Sequence, residues 1–124
     1  MAQEEFYAYF EIRPGMDVYT ADGQHLGTIE SLWQVDENGQ ARELALLAGI
    51  CPAERRDGEV VARFCVAESG YMVVSSGLMP RQEWQLPFEA IAEVRDDRVV
   101  LARTRADLTP ATPPSRPAGP GPAP

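Results

Sequence analysis

The sequence Asp22-Gly23-Gln24-His25-Leu26-Gly27-Thr28-Ile29 decides the fold class. An Asp-Gly pair between stretches of alternating apolar residues is the strongest short-range signal for a β-hairpin, because a type I′ turn needs positive φ at both central residues. We therefore predict a strand over Met16–Thr20, a tight turn, and a longer strand that continues to Asp36. We place a bend at Gly27, since glycine permits a bulge or a close approach of two backbones.

Further turn signals divide the rest of the chain into short strands. Asn38-Gly39 predicts a second hairpin turn, and Pro87 is predicted to begin a single helical turn that ends at Ile91. We read Cys51–Gly58 as a charged loop. Strands at this spacing, about six to eight of them, predict an all-β fold, a small barrel or roll.

The composition changes near both ends of the chain. Residues 1–13 are acidic and aromatic, and Tyr7 and Tyr9 alternate with Ala8 and Phe10. This arm is predicted to be extended or a short extra strand, which packs on its own domain or binds a partner. Residues 106–124 form a tail in which Pro110–Pro124 holds seven of the eleven prolines. Such a segment has too little apolar surface to order itself, so we predict a disordered tail and one domain over residues 14–105.

The charge argues against two classes of partner. The net charge is −8, and all eleven basic residues are arginines. Phosphate backbones and anionic lipids both require a basic surface, so we expect neither nucleic acid nor a membrane surface as partner. The N-terminus has no signal pattern, and the longest apolar run is far short of a membrane span. These observations predict a soluble cytoplasmic protein with reduced thiols and no membrane insertion.

The sequence contains no set of residues with catalytic or metal-binding spacing. His25 is the one histidine, and the two cysteines, Cys51 and Cys65, lie fourteen residues apart. A metal site needs several ligands at usable spacing, so His25 is read as a structural residue. We predict no enzyme activity, no metal and no cofactor. A Cys51–Cys65 disulfide is the alternative to free thiols.

Large side chains suggest where a partner binds. Trp33 is assigned to the core, whereas a core position and an interface position are equally favoured for Met79 and for Trp84. Met79, Arg81 and Trp84 therefore form the predicted partner surface. The tail contains two P-x-x-P sequences, which are ligands of polyproline-binding domains in other proteins and more often belong to linkers.

Three pieces of the chain together resemble the PRC-barrel family. They are Gly15-Met16-Asp17-Val18 followed by the Asp22–Ile29 stretch, then Leu86-Pro87-Phe88-Glu89-Ala90-Ile91, and finally the hairpin over Val94–Leu101. The family comprises small β-barrels named for the cytoplasmic domain of the photosynthetic reaction centre H subunit. The same barrel occurs in a bacterial ribosome maturation factor and in stand-alone bacterial and archaeal proteins. The long middle, Ile50–Val66, departs from the family and is read as an inserted or lengthened hairpin.

The resemblance implies a bacterial interaction protein rather than an enzyme. We expect a non-enzymatic protein-interaction or adaptor module, whose partner is another protein or a second copy of the chain. The alternatives are a ribosome- or RNA-associated assembly factor, by analogy with the maturation factor, and a barrel that binds a small ligand.

Overall fold

The computed structural model describes residues 6–77 and 81–108, which form one sheet of ten strands. The alternating apolar residues and the turn signals produce strands in chain order: β1 (Phe6–Ile12), β2 (Asp17–Tyr19), β3 (His25–Val35), β4 (Ala41–Leu44), β5 (Leu47–Arg56), β6 (Glu59–Arg63), β7 (Gly70–Ser75), β8 (Glu83–Pro87), β9 (Ile91–Arg95) and β10 (Arg98–Leu101). Two 3₁₀ turns follow β8 and β10, at Phe88–Ala90 and Arg105–Asp107. The all-β prediction is confirmed, with more strands than expected.

The sheet runs in the order β1-β5-β6-β9-β10-β2-β3-β7-β8, and β4 pairs with β3 beside this path. All pairs are antiparallel except β2 with β10. The sheet is not closed: β1 and β8 are the outer strands at the two ends of this path, and among the described residues β4 also pairs with one strand alone. The arm predicted for residues 1–13 thus contributes a strand to the sheet, along the whole length of β1.

Gly27 is required because two backbones approach closely at its position. A Cβ atom there would lie 2.2 Å from the carbonyl oxygen of Ser75 in β7. Two residues further on, the register between β3 and β7 shifts between Ile29 and Ser31. The close backbone approach predicted at Gly27 is present, whereas this register shift lies beyond it; the long β3 pairs with β2, β4 and β7.

The first two hairpin turns are of a different type from the one predicted. The Gly23 N–H donates to the carbonyl of Thr20, and the Thr20 N–H donates to that of Gln24, which makes a three-residue loop. Gly23 has positive φ, but Asp22 does not. The turn at Asn38-Gly39 repeats this arrangement, with positive φ at Gly39 alone. A type I turn followed by a left-handed glycine meets these conditions, so the type I′ assignment is wrong.

A two-residue hairpin turn lies where we predicted a charged loop. Asp57 and Gly58 have φ of 54° and 82°, and Arg56 pairs directly with Glu59 across them. Positive φ at both central residues is what a type I′ turn needs. Arg55-Arg56-Asp57-Gly58 was interpreted as a loop because of its charges, although its Asp-Gly pair is typical of a hairpin turn. The Ile50–Val66 segment is a hairpin as predicted, and its strands β5 and β6 lie within the sheet, between β1 and β9.

Trp84, which was predicted to lie either in the core or at an interface, is in the core. Trp33, which was predicted to be a core residue, is not. Trp84 is 1% exposed, and Arg105 of the last 3₁₀ turn lies over its ring at 5.6 Å. Trp33 is half-buried: it stacks on Tyr71 and donates its indole N–H to Ser31. The other large core side chains come from all parts of the sheet: Phe10, Ile12, Leu26, Ile29, Leu32, Leu47, Met72, Leu86, Phe88, Ile91 and Leu101.

The helical turn predicted at Pro87–Ile91 is present as the 3₁₀ turn Phe88–Ala90, with Pro87 as its N-cap. This turn connects β8 to β9, and its Phe88 side chain is buried. Of the tail predicted over residues 106–124, residues 106 and 107 belong to the last 3₁₀ turn and Leu108 packs against the core, while the tail from residue 109 onward lies outside the described residues.

Candidate functional site: the outer face of strands β1 and β5

Three large apolar side chains are exposed together on the outer face of the β1–β5 pair. Tyr7 is 71% exposed, Tyr9 is 60% exposed, and Ile50 is 64% exposed. Tyr9 pairs directly with Ile50, and Tyr7 pairs with Pro52 two residues along β5. Directly opposed residues lie on one face of a sheet, so these side chains form a continuous group. We call Tyr7, Tyr9 and Ile50 the outer β1–β5 face.

The strand period explains why these residues face outward. Successive side chains of a strand point to opposite faces. Phe10 and Ile12 therefore enter the core, while Tyr7 and Tyr9 face away from it. On β5 the buried Cys51 is the neighbour of the exposed Ile50. The pattern Phe-Tyr-Ala-Tyr-Phe is apolar on both faces, and only the pairing of β1 with β5 decides which face is covered.

A polar chain of contacts borders this face. The Tyr9 hydroxyl donates to Glu11 Oε2 over 2.6 Å, and the Arg13 guanidinium donates to Glu11 Oε1 over 2.6 Å. The hydrogen bond from Tyr9, and then the charge of Arg13, lower the pKa of Glu11 from its ordinary value. The hydrogen bond to Glu11 correspondingly raises the pKa of Tyr9. Glu11 is thus held in its ionised form beside the exposed tyrosine ring.

The backbone of β1 has a free side. Among the described residues, β1 makes its ladder hydrogen bonds with β5 alone. The seven residues of β1 pair with β5 without a register shift. An outer strand presents unpaired N–H and C=O groups, which are available to another chain.

A disulfide and an aromatic contact cover the inner side of the same pair. Cys51 of β5 is bonded to Cys65, so the prediction of reduced thiols is wrong and the disulfide alternative is correct for this structure. Beside it, the rings of Phe64 and Phe10 lie 5.9 Å apart. Reduced thiols had been expected because the chain was predicted to be cytoplasmic, a compartment in which disulfides are rare.

Of the predicted partner surface of Met79, Arg81 and Trp84, the structure shows Trp84 to be inaccessible. The Trp84 side chain is in the core, so it cannot contact a partner. Arg81 is half-exposed, and it binds Glu30 and donates to the Ser75 hydroxyl. Met79 lies outside the described residues. The alternation of Tyr7 and Tyr9 was the sequence signal for the surface that is exposed.

The structure separates the residues considered for metal binding or nucleophilic chemistry. His25 Nε2 lies 3.0 Å from Asp17 Oδ1 at the protein surface, and its ring packs on Tyr19. Both cysteine sulfurs are occupied by the disulfide. Within residues 6–77 and 81–108, no group of three or more His, Cys, Asp or Glu side chains is placed to hold a metal ion.

Of the three arginines on β5 and β6, Arg56 is paired with carboxylates. Arg56 binds Glu54 and Glu93, and the hydrogen bond from Arg56 lowers the pKa of Glu54. Arg55 lies over the ring of Phe6 at 5.6 Å. Neighbouring pairs join Arg95 and Arg98 to Glu59. Arg56, Arg95 and Arg98 are therefore engaged by carboxylates.

A cleft of about 300 Å³ lies beside β1, lined by residues of β1, β6 and β9 with Asp96 from the turn that follows. Its apolar lining comes from Ala8, Phe10, Val60, Ala62 and Val94, and its charged groups from Glu11, Arg13 and Asp96.

No helix in the described part of the chain has the length and apolar character needed to cross a membrane.

Comparison with known proteins identifies a family for most of the chain. A family model described as the PRC-barrel domain matches residues 4–77. The match includes β1 and the whole hairpin around Asp22-Gly23, and it ends before β8. The resembling pieces at Leu86–Ile91 and Val94–Leu101 thus lie beyond the matched residues, although their strands belong to the same sheet. No curated protein and no solved structure matches the chain.

Proposed function

Since the chain belongs to the PRC-barrel family, we propose that it is a non-enzymatic protein-interaction module that binds through the outer β1–β5 face. The observation that carries this proposal is the joint exposure of Tyr7, Tyr9 and Ile50 beside the free side of β1. The rest of the sheet serves as a rigid support for this surface.

The chemistry of the face suits a protein partner. Tyrosine is enriched at interface hot spots, because it offers a large rigid contact area with a polar end. Full burial of a side chain of isoleucine size stabilises by roughly 1.5–3 kcal/mol. The Tyr9–Glu11–Arg13 chain of hydrogen bonds supplies polar groups at the border of the apolar group, as interfaces require.

The assembly-factor alternative has less support. It needs contact with RNA or with a ribosomal protein, and RNA contact needs free cationic side chains. Arg56 is engaged by Glu54 and Glu93, and the net charge of the chain is −8. Of the two, contact with a ribosomal protein is the form that agrees with these charges, and it is itself a protein interaction. The small-ligand alternative predicts that a compound bound in the cleft beside β1 raises the melting temperature.

Site-specific photocrosslinking tests the proposal. A benzophenone amino acid replaces Ile50 in the full chain, and in a matched variant it replaces Glu37, which is exposed at the tip of the β3–β4 turn. The variants are irradiated in an extract of the source cells, and the adducts are identified by mass spectrometry. We expect discrete protein adducts, including adducts between copies of the chain, from position 50 and not from position 37. The absence of any adduct at position 50, or the same adducts at both positions, would overturn the proposal.

A further inference from the structure

We propose that a second copy of this chain binds at the free side of β1, beside the outer β1–β5 face, with its β1 pairing antiparallel to β1 of the first copy about a two-fold axis at Tyr9. The inference rests on the proposed interaction function and names its partner. In such a dimer the two sheets join into one, and the outer faces of both copies become continuous.

The two outer strands of the sheet differ in how they are protected. Proteins guard outer strands by making them short or by adding charges, prolines or bulges. β8 has five residues, ends at Pro87, and has Glu83 and Gln85 on its outward face. β1 has seven residues with no proline, no lysine and no register shift. Its outward face carries Tyr7, Tyr9 and one charged residue, Glu11, which is paired with Arg13, so β1 is the less protected of the two strands.

The register of the pair follows from side-chain alternation. A slip of one residue would turn the tyrosines of one copy toward the core side of the other. Outward residues must therefore oppose outward residues. Tyr9 is the middle residue of β1, and an axis through it pairs every residue of the strand, whereas any other centre leaves some unpaired. Tyr9 then faces Tyr9 of the other copy, and Tyr7 faces Glu11.

The charges along β1 favour this antiparallel arrangement. Glu11 lies near the end of β1, and Arg13 follows the strand. In the antiparallel register Glu11 of one copy faces Tyr7 of the other, so like charges are not directly opposed. An in-register parallel arrangement would align Glu11 with Glu11 and Arg13 with Arg13, which is unfavourable for directly opposed residues. Closed two-fold dimers are the commonest assemblies of soluble proteins, because one self-complementary surface is sufficient.

Charge substitution at the two-fold axis tests the proposal. Full chains are compared by size-exclusion chromatography with light scattering over a concentration series. We expect a wild-type dimer. Tyr9→Lys and Tyr9→Glu each place like charges opposite one another, and each should raise the dimer dissociation constant at least about tenfold, equivalent to about 1.4 kcal/mol. An equimolar mixture of the two variants should form a heterodimer, because opposite charges then meet at the axis.

The control variant is Gln85→Lys, which puts the same charge as Tyr9→Lys on the outward face of β8 and should leave the dimer intact. Circular dichroism should show that all variants remain folded, since residue 9 is exposed. A monomeric wild-type chain, a dimer unaffected by Tyr9→Lys, or a mixture that stays monomeric would each overturn the proposal. If residue 50 crosslinks to a different protein while the chain is monomeric, self-pairing fails and the interaction function stands.

Discussion

Cys51 of β5 is bonded to Cys65, with the Cα atoms of the two residues 5.8 Å apart. The bond fixes the segment after β6 against the inner side of the β1–β5 pair. There Phe64 contacts Phe10, and Val66 lies so close to Gly49 that a Cβ atom on that glycine would come within 2.6 Å of it. The strand pair that presents the exposed tyrosines on one side is thus held from the other side by a covalent link.

Reduction of this disulfide should destabilise the protein. A bond that closes a loop of about 15 residues stabilises by about 3 kcal/mol, largely by restricting the unfolded chain. The sequence separation of Cys51 and Cys65 is 14. We expect urea unfolding with a thiol reductant to show a free energy of unfolding lower by about that amount. The Cys51→Ala/Cys65→Ala variant is the control, and the reductant should not alter its curve. Identical wild-type curves with and without reductant would contradict the expectation.

Gly27→Ala should cost more stability than Gly39→Ala. At position 27 the added methyl group meets the backbone of Ser75 at 2.2 Å, so β3 and β7 have to move apart. We expect a loss of about 3 kcal/mol, the upper end for overpacking. At position 39 nothing lies within 4 Å, and the cost is that of an alanine with positive φ, about 1 kcal/mol. Denaturant unfolding of both variants measures the difference. Equal losses would mean that the approach of β3 to β7 is not what requires Gly27.

Trp84 should affect the fold and leave the outer β1–β5 face unchanged. Removal of a buried aromatic side chain costs about 3–5 kcal/mol, so we expect Trp84→Ala to lower the free energy of unfolding by that amount. Trp84→Phe should cost less, because the indole N–H is buried without a hydrogen-bond partner and its removal leaves nothing unsatisfied. Tyr9→Ala, at an exposed position, should change stability by no more than about 0.5 kcal/mol. A normal unfolding curve for Trp84→Ala together with lost self-association would restore Trp84 to the interface.

The ionisation of Glu11 should depend on the Tyr9 hydroxyl. The hydrogen bond from Tyr9 is the first cause of the lowered pKa of Glu11, so Tyr9→Phe should raise that pKa toward its ordinary value. Because the folded-state pKa of Glu11 is depressed, its stabilising effect is present above the unfolded-state pKa and is lost as the pH falls through the folded-state pKa. Carboxyl-carbon NMR titration measures the shift directly. The pKa of Glu54, which is lowered by Arg56, serves as the internal control and should stay constant. An unchanged Glu11 titration in Tyr9→Phe would contradict the assignment.

The sequence by itself determined the fold class, most strand positions and the need for glycine at position 27. These features depend on local causes: alternating apolar residues, left-handed glycines at turns, and proline before a helical turn. The exact turn types did not follow from residue identity, because Asp-Gly and Asn-Gly serve both in two-residue turns and in three-residue turns that end in glycine.

Only the tertiary structure decided which aromatic residues are exposed and whether the two cysteines are free thiols or form a disulfide. Tyr7, Tyr9, Trp33 and Trp84 all lie in alternating strands, and the alternation is the same whichever face is covered. The neighbours that cover a face come from distant parts of the chain: β5 beside β1, and Arg105 over Trp84. The approach of Cys51 to Cys65 likewise follows from the β5–β6 hairpin, whose turn at Asp57-Gly58 we had read as a loop. The position of the candidate site therefore depends on pairing between strands that are distant in sequence, which the pattern of residues along the chain does not reveal.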